Sequence, residues 1–419
     1  MVKIQTGVAR QVLDSRGNPT VEVTLKSAKY TVSAIVPSGA STGIHEALEL
    51  RDHKTAYGGK SVLKAVNNIN KKIIPAIRNK QFSSQKDLDR FLLEIDGTVQ
   101  KARLGENAIL AVSMAYSRLE AQNNNKPLYK QLADDFGNKN VQLPIPFSNV
   151  INGGVHAGNE LEMQEFMIAP IKAKSFSQAT QIVSETYHIL KGIIVKKYGK
   201  NAANVGDEGG FAPPIATAAQ ALDLLSKAIE ESGYKKELRI AMDPASSEYY
   251  NKKSHTYLKK KLSPPKMQSQ YESLIKKYPI ISLEDPFEQD DFESWKAFTK
   301  RNGKKLQIVG DDLTVTNPTR VQLAADQKLC NALLLKINQI GTITESLTSA
   351  SIAKANKWNV MVSHRSGETE DPYIADLSAG LGMGQIKIGA PCRSDRVAKY
   401  NQLLRIEEEL GRKAKYSRW

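Results

Sequence analysis

The sequence predicts an α/β protein: a C-terminal β/α barrel over residues 136–419, preceded by an N-terminal α+β domain over residues 1–135, a three-stranded antiparallel meander plus helices. Three observations predict it. The first forty residues alternate apolar and polar positions with the period of a half-buried sheet. Further on, short apolar runs recur at a steady interval, and each ends on a residue able to do chemistry. Amphipathic stretches of helical length lie between those runs.

The elements follow in order. Residues 4–12, 20–25 and 30–36 alternate, and Arg16-Gly17-Asn18-Pro19 and Ser27-Ala28-Lys29 separate them as turns. Helical periodicity then covers 61–78, 85–95 and 105–122, the last Ala-rich and ended by Asn123-Asn124-Asn125-Lys126-Pro127. Gly137-Asn138-Lys139-Asn140, with Pro144 and Pro146 behind it, marks a boundary near residue 136. Beyond it the apolar runs end at Asp243, Glu284, Asp311, Lys336, His364 and Lys387, spaced 23 to 41 residues apart. That interval holds one strand, one helix and two short loops. Helices are expected at 221–232, 291–302, 318–328 and 342–357. If all the strands run parallel and close into a barrel, their terminal residues gather on one rim, where barrel active sites lie. One polar residue at a strand end is most simply a solvated loop start. Six in register predict a shared site.

Composition narrows the class. The chain carries a net charge of +15 and two cysteines, Cys330 and Cys392, each beside an apolar segment. Two such cysteines read as reduced thiols in a reducing compartment, and they exclude a structural zinc site. No apolar stretch follows Lys3, and none approaches the roughly 18 residues of a membrane span. The expectation is a soluble, cytoplasmic protein. Its positive field favours anionic partners, from small phosphorylated acids to nucleic acid or acidic lipid. Residues 251–266 hold six lysines and no acid. A solvated face is the simpler account there, because no aromatic platform or nucleic-acid motif accompanies the charge. Gly380-Leu381-Gly382-Met383-Gly384 precedes a strand where a dinucleotide loop must follow one, so it is not such a loop.

Asp243, Glu284 and Asp311 offer hard oxygen ligands without His or Cys, which suits Mg²⁺. Lys336 would sit beside the metal, and positive charge from Mg²⁺ and Lys387 should lower its pKa so that it serves as a base. A base facing a metal-bound carboxylate points to abstraction of the proton α to that carboxylate.

Longer motifs are more specific. Ser38-Gly39-Ala40-Ser41-Thr42-Gly43, Asn152-Gly153-Gly154-Val155-His156-Ala157-Gly158-Asn159, Gln164-Glu165-Phe166-Met167 and Gly206-Asp207-Glu208-Gly209-Gly210 come first. Leu283-Glu284-Asp285-Pro286, Gly310-Asp311-Asp312-Leu313, Leu335-Lys336-Ile337-Asn338-Gln339 and Ser363-His364-Arg365-Ser366-Gly367-Glu368-Thr369 follow. In this order they resemble the enolase family, the glycolytic phosphopyruvate hydratases, essentially end to end. That superfamily is itself the standard example of a Lys or His base working with one or two Mg²⁺.

The resemblance implies reversible dehydration of 2-phosphoglycerate to phosphoenolpyruvate with two Mg²⁺ per active site. Lys336 would take the C2 proton, and Glu208 would be the acid for the departing C3 hydroxyl. Asp243, Glu284 and Asp311 match the ligands of one Mg²⁺, and Ser41, on an N-terminal loop, helps hold the second. Arg365 and Ser366 match the phosphate-binding pair and Lys387 the residue facing the substrate carboxylate. His156, Gln164, Glu165 and His364 complete the polar wall. Repulsion between Glu208 and Glu165 should keep one of them protonated, as an acid requires. The resemblance further implies a homodimer, with an octamer as an option, and a secondary presence at the cell surface; nucleic acid is not required. A racemase or cycloisomerase of the same superfamily is disfavoured because the His364-Arg365-Ser366 phosphate block is present. A purely structural role is disfavoured because Lys336, Glu208 and three carboxylates are intact. Pro244, directly after Asp243, departs from the family pattern and removes one backbone donor there.

Overall fold

The period-two alternation folds into the antiparallel meander β1 (Thr6–Leu13), β2 (Pro19–Lys26) and β3 (Thr31–Ile35), paired in that order in the computed structural model. The structure describes every residue except position 41, so the expectation for Ser41 lies outside the described residues. Val21, Val23 and Leu25 alternate inward along β2 and are fully buried. They pack on the helix Glu106–Asn123, whose small residues Ala108, Ala111 and Ala115 let it sit between this sheet and the barrel. The helix expected at 61–78 runs from Leu63 to Ile77 but widens into a π turn over Ile69–Ile73. Pro75 follows that turn; its ring excludes the carbonyl four residues earlier and it has no N–H to donate, so a wider turn absorbs it.

The later runs close into an eight-stranded barrel: β4 (Ile145–Asn152), β5 (Glu165–Pro170), β6 (Leu238–Asp243), β7 (Ile280–Glu284), β8 (Gln307–Gly310), β9 (Ala332–Leu335), β10 (Asn359–Ser363) and β11 (Gly384–Lys387). Neighbours in the ring are neighbours in sequence, and β11 closes on β4. The expectation that all strands run parallel fails at β5, which pairs antiparallel with both β4 and β6. Only the loop 153–164 joins β4 to β5, too short for the crossover helix that parallel neighbours need. From β5 the chain climbs the helix Phe176–Tyr198 and descends Ala218–Glu231 before entering β6. Ser175 and Thr217 cap those helices, accepting from the backbone N–H groups of Gln178 and Gln220. Thereafter strands alternate with single outer helices, among them Phe292–Asn302, Pro318–Gln327 and Ile343–Ala355, close to the predicted spans.

The barrel is filled, not hollow: Phe147, Met167, Val309, Leu334 and Met361 interdigitate inside it. Residues 416–419 cross its lower mouth, with Tyr416 Oη donating to Pro170 O at 2.9 Å and the Trp419 ring 6.0 Å from Phe147. The N-terminal part covers the upper mouth. Ser38 and Gly367 exchange backbone hydrogen bonds of 2.8 and 2.9 Å, and Ala47 N donates to Gln339 O at 2.8 Å. Both cysteines are free, and among the described residues no helix is long and apolar enough to cross a membrane.

Candidate active site at the upper mouth

The strand ends converge on the upper rim as expected, and so do residues from other kinds of element. Asp243, Glu284 and Lys387 end β6, β7 and β11. Asp311, Lys336 and His364 follow β8, β9 and β10. Glu165 begins β5 rather than ending it. Because β5 runs antiparallel, its first residue still arrives at this rim, paired in register with Asp243 and Asn152. His156 and Gln164 come from the β4–β5 loop, and Glu208 from the loop between the paired helices. One small cavity is bounded by His156, Gln164, Glu165, Glu208 and Asp243 on one side, and by Lys336, His364, Arg365, Ser366 and Lys387 on the other.

Lys387 Nζ lies 2.9 Å from Asp243 Oδ2, 2.8 Å from Glu284 Oε1 and 3.1 Å from Glu165 Oε2. Lys336 Nζ pairs with Asp311 Oδ2, and Gln339 Nε2 donates to Asp311 Oδ1 at 2.8 Å. All these carboxylates and amines are buried, so each needs a compensating charge nearby. Ser366 Oγ sits 2.7 Å from His156 Nε2 and 3.5 Å from Glu208 Oε1. The Arg365 guanidinium faces Glu46 from the N-terminal part, at 3.1 and 3.2 Å, and Asn338 Oδ1 at 3.0 Å. Gly39 lets it lie there, since any side chain at that position would run into the guanidinium.

The buried charges of the site act on one another's titration. Burial acts to lower the Lys336 ammonium pKa, but the touching Asp311 carboxylate outweighs it and holds it above the ordinary value. The Asp311 contact thus opposes the lowering that the sequence reading expects from Mg²⁺ and Lys387. Glu208 and Glu165, expected to share one proton, are pushed in opposite directions. Burial, then repulsion from Glu208, pushes Glu165 well above the carboxylate range. Glu208 stays well below it despite its own burial, chiefly through His364 and His156. Burial also depresses both imidazoles, His364 to about 3, so they are uncharged at neutral pH. The ionised form of Glu208 stands regardless, because Asn149 Nδ2 donates to its Oε2 at 3.0 Å and charged Arg396 lies close behind.

Arg396 carried no signal in the sequence. Wholly buried, it donates from Nη1 to His364 Nδ1 and to Arg365 O, both at 2.6 Å, and from Nη2 to Ser366 O at 2.8 Å. A guanidinium can only donate, so Nδ1 must accept and the ring proton is assigned to Nε2, 3.4 Å from Glu208 Oε2. Asn149, Gln339 and Glu46 were missed for the same reason: each acts through a neighbour that the chain brings from far away in sequence.

The acidic rim suits a hard divalent cation. Glu284 Oε2 is a buried acceptor without a hydrogen-bond partner, and no imidazole or thiolate stands among Asp243, Glu284 and Asp311. Among the described residues, ligand atoms close to within 4.8 Å in two other groups, His156–Glu165–Glu208 and Asp285–Asp311–Asp312. Asp243, Glu284 and Asp311 are instead interleaved with the two ammonium groups. Asp285 takes the backbone N–H groups of Asp311 and Asp312, each at 2.8 Å, and so fixes the turn that presents Asp311.

A capped β/α barrel that buries acids, amines and an arginine around one cavity has the parts of a lyase-type enzyme, with acidic groups able to hold a metal. The enolase N-terminal domain matches residues 4–132 and the enolase C-terminal TIM barrel domain matches residues 140–418. The chain belongs to the enolase family.

Proposed function

We propose that this protein is a phosphopyruvate hydratase, catalysing reversible Mg²⁺-dependent dehydration of 2-phosphoglycerate to phosphoenolpyruvate in glycolysis and gluconeogenesis. The observation that carries the proposal is that Lys336, Glu208, Arg365 and Ser366 all border one cavity. An amine base, a carboxyl acid and a phosphate cradle are what a β-elimination on a phosphorylated hydroxy acid requires.

Arg365 offers a planar fork to the phosphate, in competition with Glu46, and Ser366 adds a hydroxyl. Lys387 faces the substrate carboxylate. Two Mg²⁺, held by Asp243, Glu284 and Asp311 and with help from Ser41, would neutralise charge developing on that carboxylate and counter the pull of Asp311 on the Lys336 ammonium. Lys336, once it has shed its proton, takes the proton from C2. Glu208 passes a proton to the leaving C3 hydroxyl. Glu165, pushed above the carboxylate range, is the neighbour able to supply that proton, and His156 Nδ1, 3.8 Å from Glu165 and 3.6 Å from Glu208, offers the route between them. Neutral His364, its tautomer set by Arg396, together with Gln164, keeps the wall polar without adding charge.

The same reading divides the chain into a capping domain, 1–135, and a catalytic barrel, 136–419. It places the protein in the cytoplasm as a homodimer able to assemble into an octamer. The test is formation of phosphoenolpyruvate from 2-phosphoglycerate, followed by absorbance with and without Mg²⁺. Metal-dependent product is expected; no product at saturating Mg²⁺ overturns the reading.

A further inference from the structure

The net charge of +15 is not spread evenly. Nearly every turn that feeds a barrel strand at its lower end carries exposed lysine: Lys235 and Lys236 before β6, Lys276 and Lys277 before β7, Lys304 and Lys305 before β8. Lys328 before β9 and Lys357 before β10 continue the ring. Lys172 and Lys174, just past the end of β5, complete it with Lys415 and Arg418 of the crossing tail. Lys277 meets Asp223 at 3.4 Å. Among the described residues none of the others named here is in an ion pair.

Two grooves open on this face. One, of about 620 Å³, is lined by Lys304, Lys305, Lys357 and Arg418; the other, of about 1060 Å³, by Lys172, Lys174, Lys415 and Arg418. Trp419 borders both. Its indole packs on Phe147 and leaves 46% of the residue open to solvent.

We propose that this lower face binds single-stranded nucleic acid, its phosphates following the lysine-lined grooves and an unpaired base stacking on Trp419. An electrostatic channel with an aromatic platform is the general physical form of such a site. A duplex keeps its bases stacked internally and cannot use the indole. A lipid surface would favour a flat apolar patch, whereas here the Trp419 ring stands between recessed grooves lined by lysine and arginine. The polar side chains along the groove floor are engaged with one another, Asn359 Nδ2 with Gln307 Oε1 and Gln385 Nε2 with Gln307 Oε1, each at 2.8 Å. Base edges therefore find few free partners, and the binding is tolerant of sequence. The lysine-rich segment 251–266 is a weaker candidate because acids intrude on it: Glu288 lies 3.8 Å from Lys252 Nζ, and Glu162 accepts from Lys259 N at 2.6 Å.

The test is fluorescence anisotropy of labelled oligothymidylate of about 20 nucleotides with the full chain, from about 50 to about 200 mM salt. Log affinity should fall linearly with log salt. The triple variant Lys304→Glu, Lys305→Glu, Lys357→Glu should lose at least about tenfold in affinity and show a slope shallower by about 2. Trp419→Ala should lose about tenfold with the slope unchanged, and binding should quench tryptophan emission in the parent only. Turnover should match the parent in both variants, since the lower face is remote from the cavity, and the melting temperature should match it in the triple variant. No binding at the lowest salt overturns the proposal. So do equal binding by the triple variant, loss on reversing Lys252, Lys253, Lys259 and Lys260 instead, equal affinity for a duplex, or binding of phosphatidylserine vesicles without oligonucleotide.

Discussion

At the upper mouth of the barrel Lys387 is 2% exposed and has three carboxylates within 3.1 Å; at the lower mouth Lys304, Lys305 and Lys357 are exposed and, among the described residues, have no acid in reach. The same residue type thus sits in two electrostatic regimes. A buried ammonium without a counter-charge would cost several kcal/mol of desolvation, so the upper mouth must hold acids and amines together. An exposed lysine pays no such penalty and gains little from pairing. The lower mouth can therefore keep its positive charge unspent, facing solvent and any polyanion that comes. The upper mouth does chemistry because its charges are constrained; the lower one attracts because its charges are not.

The hardest blow to this contrast falls on Lys336. Lys336→Ala should reduce phosphoenolpyruvate formation at least about a thousandfold and remove C2 proton exchange with solvent, while circular dichroism stays that of the parent. Near-normal exchange in that variant would mean that the buried amine is not the base.

Next in size is Asp376, a buried acid in the helix Tyr373–Leu381 with Gln402 Nε2 as donor at 3.0 Å. Burial pushes its carboxyl to about 7, against the partial opposition of Arg118. The folded state then keeps a proton that the unfolded chain releases near pH 4. This contribution to stability is complete below about pH 4 and is lost as pH rises through about 7. Its full size is on the order of 4 kcal/mol, so Asp376→Asn should flatten the stability profile over that window by up to this amount, read from denaturant midpoints. An unchanged profile would show that Asp376 is ionised in the fold, and that burial alone does not set charge away from the mouths.

Arg396 sharpens the comparison further. Arg396→Met should lower turnover about tenfold to a hundredfold. It should also shift the acid limb of the pH–rate profile upward, as His364 loses the guanidinium that keeps Nδ1 unprotonated. Arg396→Lys should recover part of both. An unshifted limb would leave Arg396 a purely structural residue. The smallest effect belongs to the lower mouth. Exchanging Lys304, Lys305 and Lys357 for glutamate should change stability by no more than about 0.5 kcal/mol per site. A larger loss would reveal ion pairing on that face.

Much of this was legible in the residues. The meander, the barrel and the rim set Asp243, Glu284, Asp311, Lys336, His364 and Lys387 follow from periodicity, because strand ends in a closed barrel have little choice of place. The antiparallel β5 was not legible: an apolar run reads the same in either direction, and only the short loop 153–164 reverses it. Arg396, Asn149 and Glu46 were not legible either, since one polar residue in a helix, a strand or a loop gives no periodic signal of what it will touch.

The sequence by itself determined which side chains could meet and what each could donate, accept or titrate, because residue type and strand period are local properties. The folded neighbourhood set the rest: burial and Glu208 push the Glu165 carboxyl up, Asp311 opposes any lowering of the Lys336 ammonium, and scattered lysines share one face. Charge state and field depend on burial and on neighbours within a few ångströms, and those neighbours come from other strands and loops, tens to hundreds of residues away along the chain.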